Sequence, residues 1–229
     1  MTLFEAIPAR HSVRKYKDSP ITPEALSILS DKVLEVNRLG GLHVQLVTEE
    51  PKAFSGLMAY GSFSGVRNYF VMAGGKADDL DERIGYYGEQ LVLLAQTLGL
   101  NTCWAGLTYS KIPGTYELDE GEKICCYIAL GYGLTQGSGH KVKAPEDVSN
   151  AGDGTPEWFC RGVEAALLAP TAVNQQKFRL DYLGPGDEGA LPKVSAQPTF
   201  SMIGYTKIDL GIVKCHFELG AGKENFEWA

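Results

Sequence analysis

The stretch APTAVNQQ at residues 169–176 follows directly on a segment whose apolar residues recur at helical spacing from Phe159 to Leu167. Pro170 predicts the end of that helix, because proline lacks the backbone N–H that a helix interior needs. Thr171, Asn174 and Gln176 then place hydrogen-bonding side chains on an irregular turn. Such a turn is typical of a polar helix cap, unless a ligand binds it.

A second informative stretch is RHSVR at residues 10–14, which combines two guanidinium groups, an imidazole and a hydroxyl. Residues 1–17 carry a net charge of +3 in a chain whose formal net charge is −7. The overall negative charge disfavours nucleic acid or an anionic membrane as the main partner. A small anionic ligand fits this stretch, and a solvated basic turn is the alternative.

Two further segments carry candidate binding residues. In HKVK at residues 140–143, Lys141 and Lys143 project from the same side of an extended chain, which suits a shared phosphate or simple exposure to solvent. In LGLNTCWAG at residues 98–106, the small residues Ala105 and Gly106 would let a planar ligand approach the backbone. The alternative for this segment is a core strand around Trp104.

Composition narrows the class of protein. The chain has 229 residues, of which 44% are hydrophobic, and this excludes intrinsic disorder. No apolar run approaches the roughly 18–20 residues of a membrane span. The five cysteines are odd in number and lack a C-x-x-C pair, so we expect buried free thiols and neither disulfides nor a metal site. With no signal peptide visible, we expect a cytoplasmic protein.

Local signals predict alternating helices and strands. Thr2 with Glu5 forms a capping box, and Thr22 precedes Pro23 at the start of a second helix. Further helices are expected over about 79–98, after Thr155, and over 208–219. Strands are expected over 42–47, 68–73, 102–104, 123–130, 177–183 and 225–229, with a Gly/Pro-rich loop over 184–198.

The pattern repeats. Thr-Pro-Glu starts a helix at residues 22–24 and again at 155–157, and Leu-Gly ends one at 98–99 and again at 219–220. The interval from Thr22 to Leu98 is longer than the interval from Thr155 to Leu219, by an amount that the deletion of a loop would explain. We therefore predict a first half over residues 1–150 and a shorter second half over 151–229. Two unrelated helix–strand segments are the alternative.

Together these stretches resemble the FMN-dependent nitroreductase family. Its R-[RH]-S-x-R corresponds to residues 10–14, its A-P-S-x-x-N-x-Q-P-W to 169–178, and its G-L-G-T-C-W to 99–104. Its G-Y followed by a basic pair and P-x-E-E-V corresponds to 131–148, and Lys177 stands where the family has proline. The resemblance implies an α+β fold with a central, mostly antiparallel sheet flanked by helices.

The order of the motifs departs from the family. The APTAVNQQ stretch, which normally follows the second helix, here follows the equivalent helix of the second half. Since the family is usually a homodimer with FMN at the subunit interface, the resemblance implies two pseudo-symmetric halves that imitate this dimer. One FMN site per chain is expected, and a monomer would suffice for it.

The resemblance also implies a role for each matching residue. The FMN phosphate would be held by Arg10, Ser12, Lys141 and Lys143. His11 and Arg14 would lie along the ribityl chain and the pyrimidine edge, where Asn68 is a further candidate. The backbone at Ala105 and Gly106 would face flavin N5, and the second half would close the site with Pro170, Thr171 and Asn174.

The implied function is transfer of hydride from NAD(P)H through flavin N5 to a small acceptor such as a nitro compound or a quinone. No catalytic side chain is predicted, because His43, His140 and His216 are scattered and form no recognisable acid/base pair. We expect His216 to be a packed core residue. The alternatives are a flavin-binding protein without turnover, or a different reaction on this scaffold such as dehalogenation or flavin fragmentation.

Overall fold

The computed structural model describes residues 1–56, 62–186 and 190–229. Its helices are α1 (Leu3–Ala9), α2 (Pro23–Gly40), α3 (Leu80–Thr97), α4 (Pro145–Val148), α5 (Glu157–Leu167) and α6 (Thr206–Ala221). Its strands are β1 (Gln45–Val47), β2 (Asn68–Gly75), β3 (Asn101–Ala105), β4 (Glu122–Gly131), β5 (Phe178–Tyr182), β6 (Lys193–Pro198) and β7 (Glu227–Trp228). The α+β class is therefore as predicted.

The strands form two sheets, where a single central sheet was expected. The first has the order β1-β2-β4-β3 and is antiparallel throughout. The second has the order β5-β6-β7, with β5 antiparallel and β7 parallel to β6. The antiparallel character is confirmed, whereas the pseudo-symmetry of the two halves stays a prediction.

Strand β6 corrects the loop expected over 184–198. Its Val194 is fully buried, but the neighbouring positions are half-buried or exposed. A strand with one buried apolar residue has almost no alternation, and the Gly/Pro-rich residues before it hide its start. Residues 187–189 of that predicted loop lie outside the described residues. The same is true of residues 57–61 in the segment 52–67, which the sequence also predicts to shape a substrate slot.

Helix starts follow the local signals. Glu5 N donates to Thr2 Oγ1 at 3.2 Å and Thr2 N to a Glu5 carboxylate oxygen at 2.7 Å, which completes the capping box of α1. At the start of α2, Ala25 N donates to Thr22 Oγ1 at 3.3 Å. These predictions are confirmed, because each depends only on residues within one helical turn.

Helix α6 runs through the core and contacts α3 and α5 at close range. A Cβ added to Gly85 of α3 would collide with the Ile208 carbonyl of α6, and one added to Gly211 of α6 would collide with the Glu82 carbonyl of α3. On the α5 side, a Cβ at Gly162 would lie 2.6 Å from the Phe217 ring. Backbone-to-backbone packing of α3 on α6 therefore requires glycine at these two positions.

The described residues contain no helix that is long and apolar enough to cross a membrane. All five cysteines are free, as expected, but only Cys103, Cys126 and Cys215 are buried, and Cys125 and Cys160 are half-buried.

Replacing Gly211 with alanine tests the contact between α3 and α6. The added methyl group must push the helices apart, and we expect Gly211→Ala to lower the free energy of unfolding by about 1–3 kcal/mol. Thermal unfolding followed by circular dichroism measures the loss. Gly152→Ala is the control, because nothing lies within 4 Å of a Cβ at that position. Equal melting temperatures for the two variants would contradict the prediction.

Candidate functional site

A cavity of about 710 Å³ lies where the chain after α1, the end of β3, the turn after α5 and the start of α6 meet. This volume is within the range of cofactor and ligand sites. Nine of the twelve residues that the sequence predicts for the site line it, namely Arg10, His11, Ser12, Arg14, Ala105, Gly106, Pro170, Thr171 and Asn174. The fold thus brings together residues far apart in sequence.

The other three residues do not line this cavity. Asn68 is buried at the start of β2, and its side-chain oxygen accepts a hydrogen bond from Glu49 N at 3.2 Å. Lys143 Nζ donates to the Gln176 carbonyl at 2.8 Å, and the Lys141 carbonyl accepts from Asn174 Nδ2 at 2.8 Å. Both lysines therefore contact the turn that borders the cavity. Their part in binding stays a prediction.

The cationic stretch is fixed by pairing with the edge of the first sheet. Val13 N donates to the Thr102 carbonyl of β3 at 3.0 Å. Tyr16, which is buried, donates its hydroxyl proton to the Val13 carbonyl at 2.6 Å. With the backbone held at Val13, the flanking side chains of Arg10, Ser12 and Arg14 line the cavity.

The turn after α5 has an uncommon backbone. Val173, Asn174 and Gln176 have φ values of 46°, 57° and 45°, in the left-handed region that residues other than glycine seldom adopt. Hydrogen bonds hold this conformation: Gln176 N donates to Thr171 Oγ1 at 3.0 Å, and Gln176 Nε2 to Asn174 Oδ1 at 2.9 Å. The polar residues of APTAVNQQ thus shape the cavity wall.

Asp209, in the first turn of α6, also holds this turn and was missed in the sequence. Its carboxylate accepts from Ala172 N at 2.9 Å and from Gln175 Nε2 at 2.7 Å. The residue is buried, and burial raises the pKa of its carboxyl group to about 6, although the two hydrogen bonds oppose the shift. An acidic residue among the apolar residues of a buried helix is the signal that could have found it.

Gly106 and Tyr205 form another part of the wall. Tyr205 precedes α6 in the left-handed conformation, with a φ of 61°. A Cβ at Gly106 would lie 2.6 Å from the Tyr205 ring, so the ring rests against the glycine backbone. Around this contact Leu107, Val173 and Ile203 line the cavity with largely exposed side chains. The cavity therefore combines cationic donors with apolar surface.

Behind the wall lies a buried charged cluster. Glu89 of α3 and His216 of α6 are both fully buried, with His216 Nε2 2.9 Å from Glu89 Oε1. Trp104, which lines the cavity, donates its indole N–H to Glu89 Oε2 at 2.9 Å. Arg10 Nε lies 3.8 Å from Glu89 Oε1 and has no hydrogen-bond partner among the described residues.

The structure confirms the burial of His216 but corrects the expectation that the histidines form no pair with an acidic residue. His216 is a core residue as predicted, but it is paired with a carboxyl group, and Glu89 was not singled out in the sequence. A second pair joins His43 Nδ1 to Glu122 Oε2 at 2.7 Å, with Asp119 close by and outside the cavity lining. These partners are too far apart in sequence for spacing to reveal them. Burial lowers the pKa of the Arg10 guanidinium, and Glu89 opposes that shift.

The residues of the cavity fit a planar group that carries an anion. Hydrogen-bond donors are supplied by Arg10, His11, Ser12 and Arg14, and within the part of the chain that the structure describes the buried Arg10 Nε has no hydrogen-bond partner. Gly106 presents its backbone without a side chain. Burial, with smaller effects from Arg10 and His140, lowers the pKa of His11, so its ring stays neutral down to a lower pH than a free imidazole does.

The raised pKa of Asp209 predicts a pH dependence of stability. The folded protein holds this proton up to about pH 6, but the unfolded chain releases it near 3.8. The group therefore favours folding at low pH, and that contribution is lost as the pH rises through 6. Relative to Asp209→Asn, we expect the wild type to gain about 2–3 kcal/mol between pH 7 and pH 4. Urea unfolding across this range measures the difference, and parallel curves would contradict the prediction.

The chain is similar to a protein family and to several solved structures. A family model described as "Putative TM nitroreductase" matches residues 2–221. No curated protein matches the chain. Among solved structures, a "putative nitroreductase" from Thermotoga maritima is 23% identical, covers 98% of this chain and 85% of its own, and superposes with a TM-score of 0.65.

Two further structures match over part of the chain. A "putative nitroreductase in complex with fmn" from Desulfovibrio desulfuricans is 16% identical, covers 68% of this chain and 99% of its own, and has a TM-score of 0.54. The NfrA1 nitroreductase from B. subtilis is 14% identical, covers 67% and 74%, and has a TM-score of 0.51. At these identities the structures show the fold alone. Since the family model extends along nearly the whole chain, the protein belongs to the putative TM nitroreductase family.

Proposed function

We propose that this protein is an FMN-dependent oxidoreductase that passes hydride from NAD(P)H to a small acceptor such as a nitro compound or a quinone. The observation that carries the proposal is the single cavity in which the cationic stretch at 10–14 meets the turn at 170–174. A phosphate-bearing flavin needs both cationic donors and a close backbone approach. The FMN complex of the D. desulfuricans protein, which shares this fold, supports the choice of cofactor.

When bound, FMN supplies reversible hydride transfer at N5. The chain's own residues bind and orient it. Arg10 and Ser12 would donate to the phosphate, as would Lys141 and Lys143, which contact the adjoining turn. The Ala105 and Gly106 backbone would face flavin N5, beside the Tyr205 ring that packs against Gly106. Apolar side chains of α6, Ile208 and Ile212, exclude water from the same cavity.

Arg14 would set the affinity for the reduced cofactor. It lines the cavity and, among the described residues, takes part in no ion pair with a carboxylate. An uncompensated guanidinium near the pyrimidine edge stabilises the negative charge that reduction places there. In the proposed reaction, NAD(P)H and the acceptor occupy the same side of the cavity in turn. No acid/base residue is assigned to either transfer.

We further propose that residues 1–150 and 151–229 are two halves that imitate a homodimer. Gly85 of α3 contacts Ile208, which lies three positions before Gly211. In return, Gly211 of α6 contacts Glu82, which lies three positions before Gly85. Reciprocal contacts of this kind are typical of a two-fold axis. Nearly the whole D. desulfuricans chain corresponds to 68% of this one, so about a third of this chain has no counterpart in that protein.

Cofactor content tests the proposed function. We expect the purified protein to be yellow and to contain one FMN per chain in a monomer, measured by absorbance after denaturation and by light scattering. NADH or NADPH should bleach the flavin absorbance, and a quinone or a nitroaromatic compound should restore it. Two FMN per chain would overturn the two-half proposal. Bound FMN that neither nucleotide bleaches would favour a flavin-binding protein without turnover.

Substitution of Arg14 tests the site. Arg14→Ala should weaken FMN binding or lower the reduction potential of the bound flavin, since a cation near the reduced ring is lost. Lys52→Ala is the control, because Lys52 is exposed and does not line the cavity. Titration of the apoprotein with FMN and dye-coupled potentiometry measure the two quantities. Unchanged affinity and potential in Arg14→Ala would remove this residue from the site.

A further inference from the structure

The buried cluster of Arg10, Glu89, Trp104 and His216 has a proton count that its hydrogen bonds determine. The Ala165 carbonyl can only accept, so His216 Nδ1, which lies 3.1 Å from it, carries a proton. One further proton must lie between His216 Nε2 and Glu89 Oε1, because otherwise a ring lone pair would face a carboxylate oxygen at 2.9 Å. The pair is therefore neutral, whichever of the two atoms holds the proton.

The neutral pair leaves one net positive charge in the cluster. Arg10 is a cation with 4% of its surface exposed, and Trp104 contributes a neutral N–H. Two thiols and an imidazole that interact with Arg10 or Glu89 add no charge to it. Burial raises the pKa of the Cys103 and Cys215 thiols, so both are uncharged at neutral pH. His11 is neutral there too, since burial lowers the pKa of its ring.

The charge is directed at the cavity. Arg10 and Trp104 line the wall, whereas Glu89 and His216 lie behind it and do not. Glu89 contacts both wall residues, and His216 is held from the other side by the Ala165 carbonyl of α5. In this low-dielectric setting an unbalanced charge acts on the cavity with little screening by water.

We propose that Glu89 and His216 are positioning residues that hold Arg10 and Trp104 at the wall and leave the cluster with a net charge of +1, so that the cavity prefers a phosphate-bearing flavin to an uncharged one. The inference rests on the proposed function for the identity of the occupant. It adds two residues of α3 and α6 that touch no part of the cavity. Their effect is on selectivity between FMN and riboflavin, which lacks the phosphate.

Three variants separate charge from packing. In His216→Gln the amide donates to Glu89, and the proton that Glu89 shared with the imidazole is gone. Glu89 is then an ionised carboxylate that balances Arg10, so the net charge of the cluster falls to zero. In Glu89→Gln the amide donates to His216 Nε2, and Arg10 leaves the net charge at +1. The double variant Glu89→Gln/His216→Gln also has a net charge of +1. A structural role would make the double variant at least as damaged as either single one.

Quenching of flavin fluorescence on titration of the apoproteins measures the dissociation constants of FMN and riboflavin. We expect the ratio of FMN to riboflavin dissociation constants to rise about tenfold in His216→Gln, from the loss of one charge near the cavity. The ratio in Glu89→Gln and in the double variant should stay within about twofold of the wild-type value. An unchanged ratio in folded His216→Gln, or an equal rise in all three variants, would overturn the proposal.

A measurement on the wild-type protein applies even if His216→Gln does not fold. In a sample with ¹⁵N-labelled histidine, NMR should show a proton on His216 Nδ1 near neutral pH. A neutral ring protonated on Nε2 would overturn the proposal, because Glu89 would then be an unbalanced carboxylate. Failure of the wild-type apoprotein to bind either flavin would instead overturn the proposed function, and the NMR result would still decide the proton arrangement.

Discussion

Backbone contact between α3 and α6 is the constraint on which the rest of the structure depends. With no Cβ at Gly85 or Gly211, the two helices approach until each glycine meets a carbonyl of the other. About one turn further along each helix, Glu89 and His216 are brought to 2.9 Å. The same approach places Asp209 beneath the turn that closes the cavity. A methyl group at either glycine would therefore disturb packing, charge pairing and cavity shape together.

The buried charges are costly, and their arrangement explains how the fold tolerates them. Moving a charged group out of water costs several kcal/mol even in a real protein interior. Glu89 accepts a hydrogen bond from Trp104 and shares a proton with His216, and His216 is satisfied on both ring nitrogens. Of the four residues in this cluster, only Arg10 has a buried side-chain N–H without a hydrogen-bond partner among residues 1–56, 62–186 and 190–229. Strongly buried ionisable groups concentrate at functional sites, and here the incomplete pairing lies at the cavity wall.

The sequence revealed the parts of the molecule that depend on near neighbours. Thr2 and Thr22 cap their helices as predicted, and the stretches at 10–14 and 169–176 both border the cavity. The sequence did not reveal the separation into two sheets, because strand pairing is a long-range property. It also could not reveal the bond between Glu89 and His216, which are 127 positions apart. Spacing along a chain reports neighbours on one element, and these partners belong to two helices that meet only after folding.

The proposed union of two halves in one chain would change the physical conditions of the site. In a homodimer, a site at the subunit interface exists only while the subunits are associated, and dilution empties it. A covalent link replaces that equilibrium with a high effective concentration of each half near the other. The link also removes the requirement that both halves be identical. One half can then keep the cationic stretch at 10–14 while the other keeps the turn at 170–174, and helix α6 can carry His216 opposite Glu89 without a symmetric copy of that pair. In this proposal, the unequal lengths of the halves would follow from one site being kept where a dimer has two.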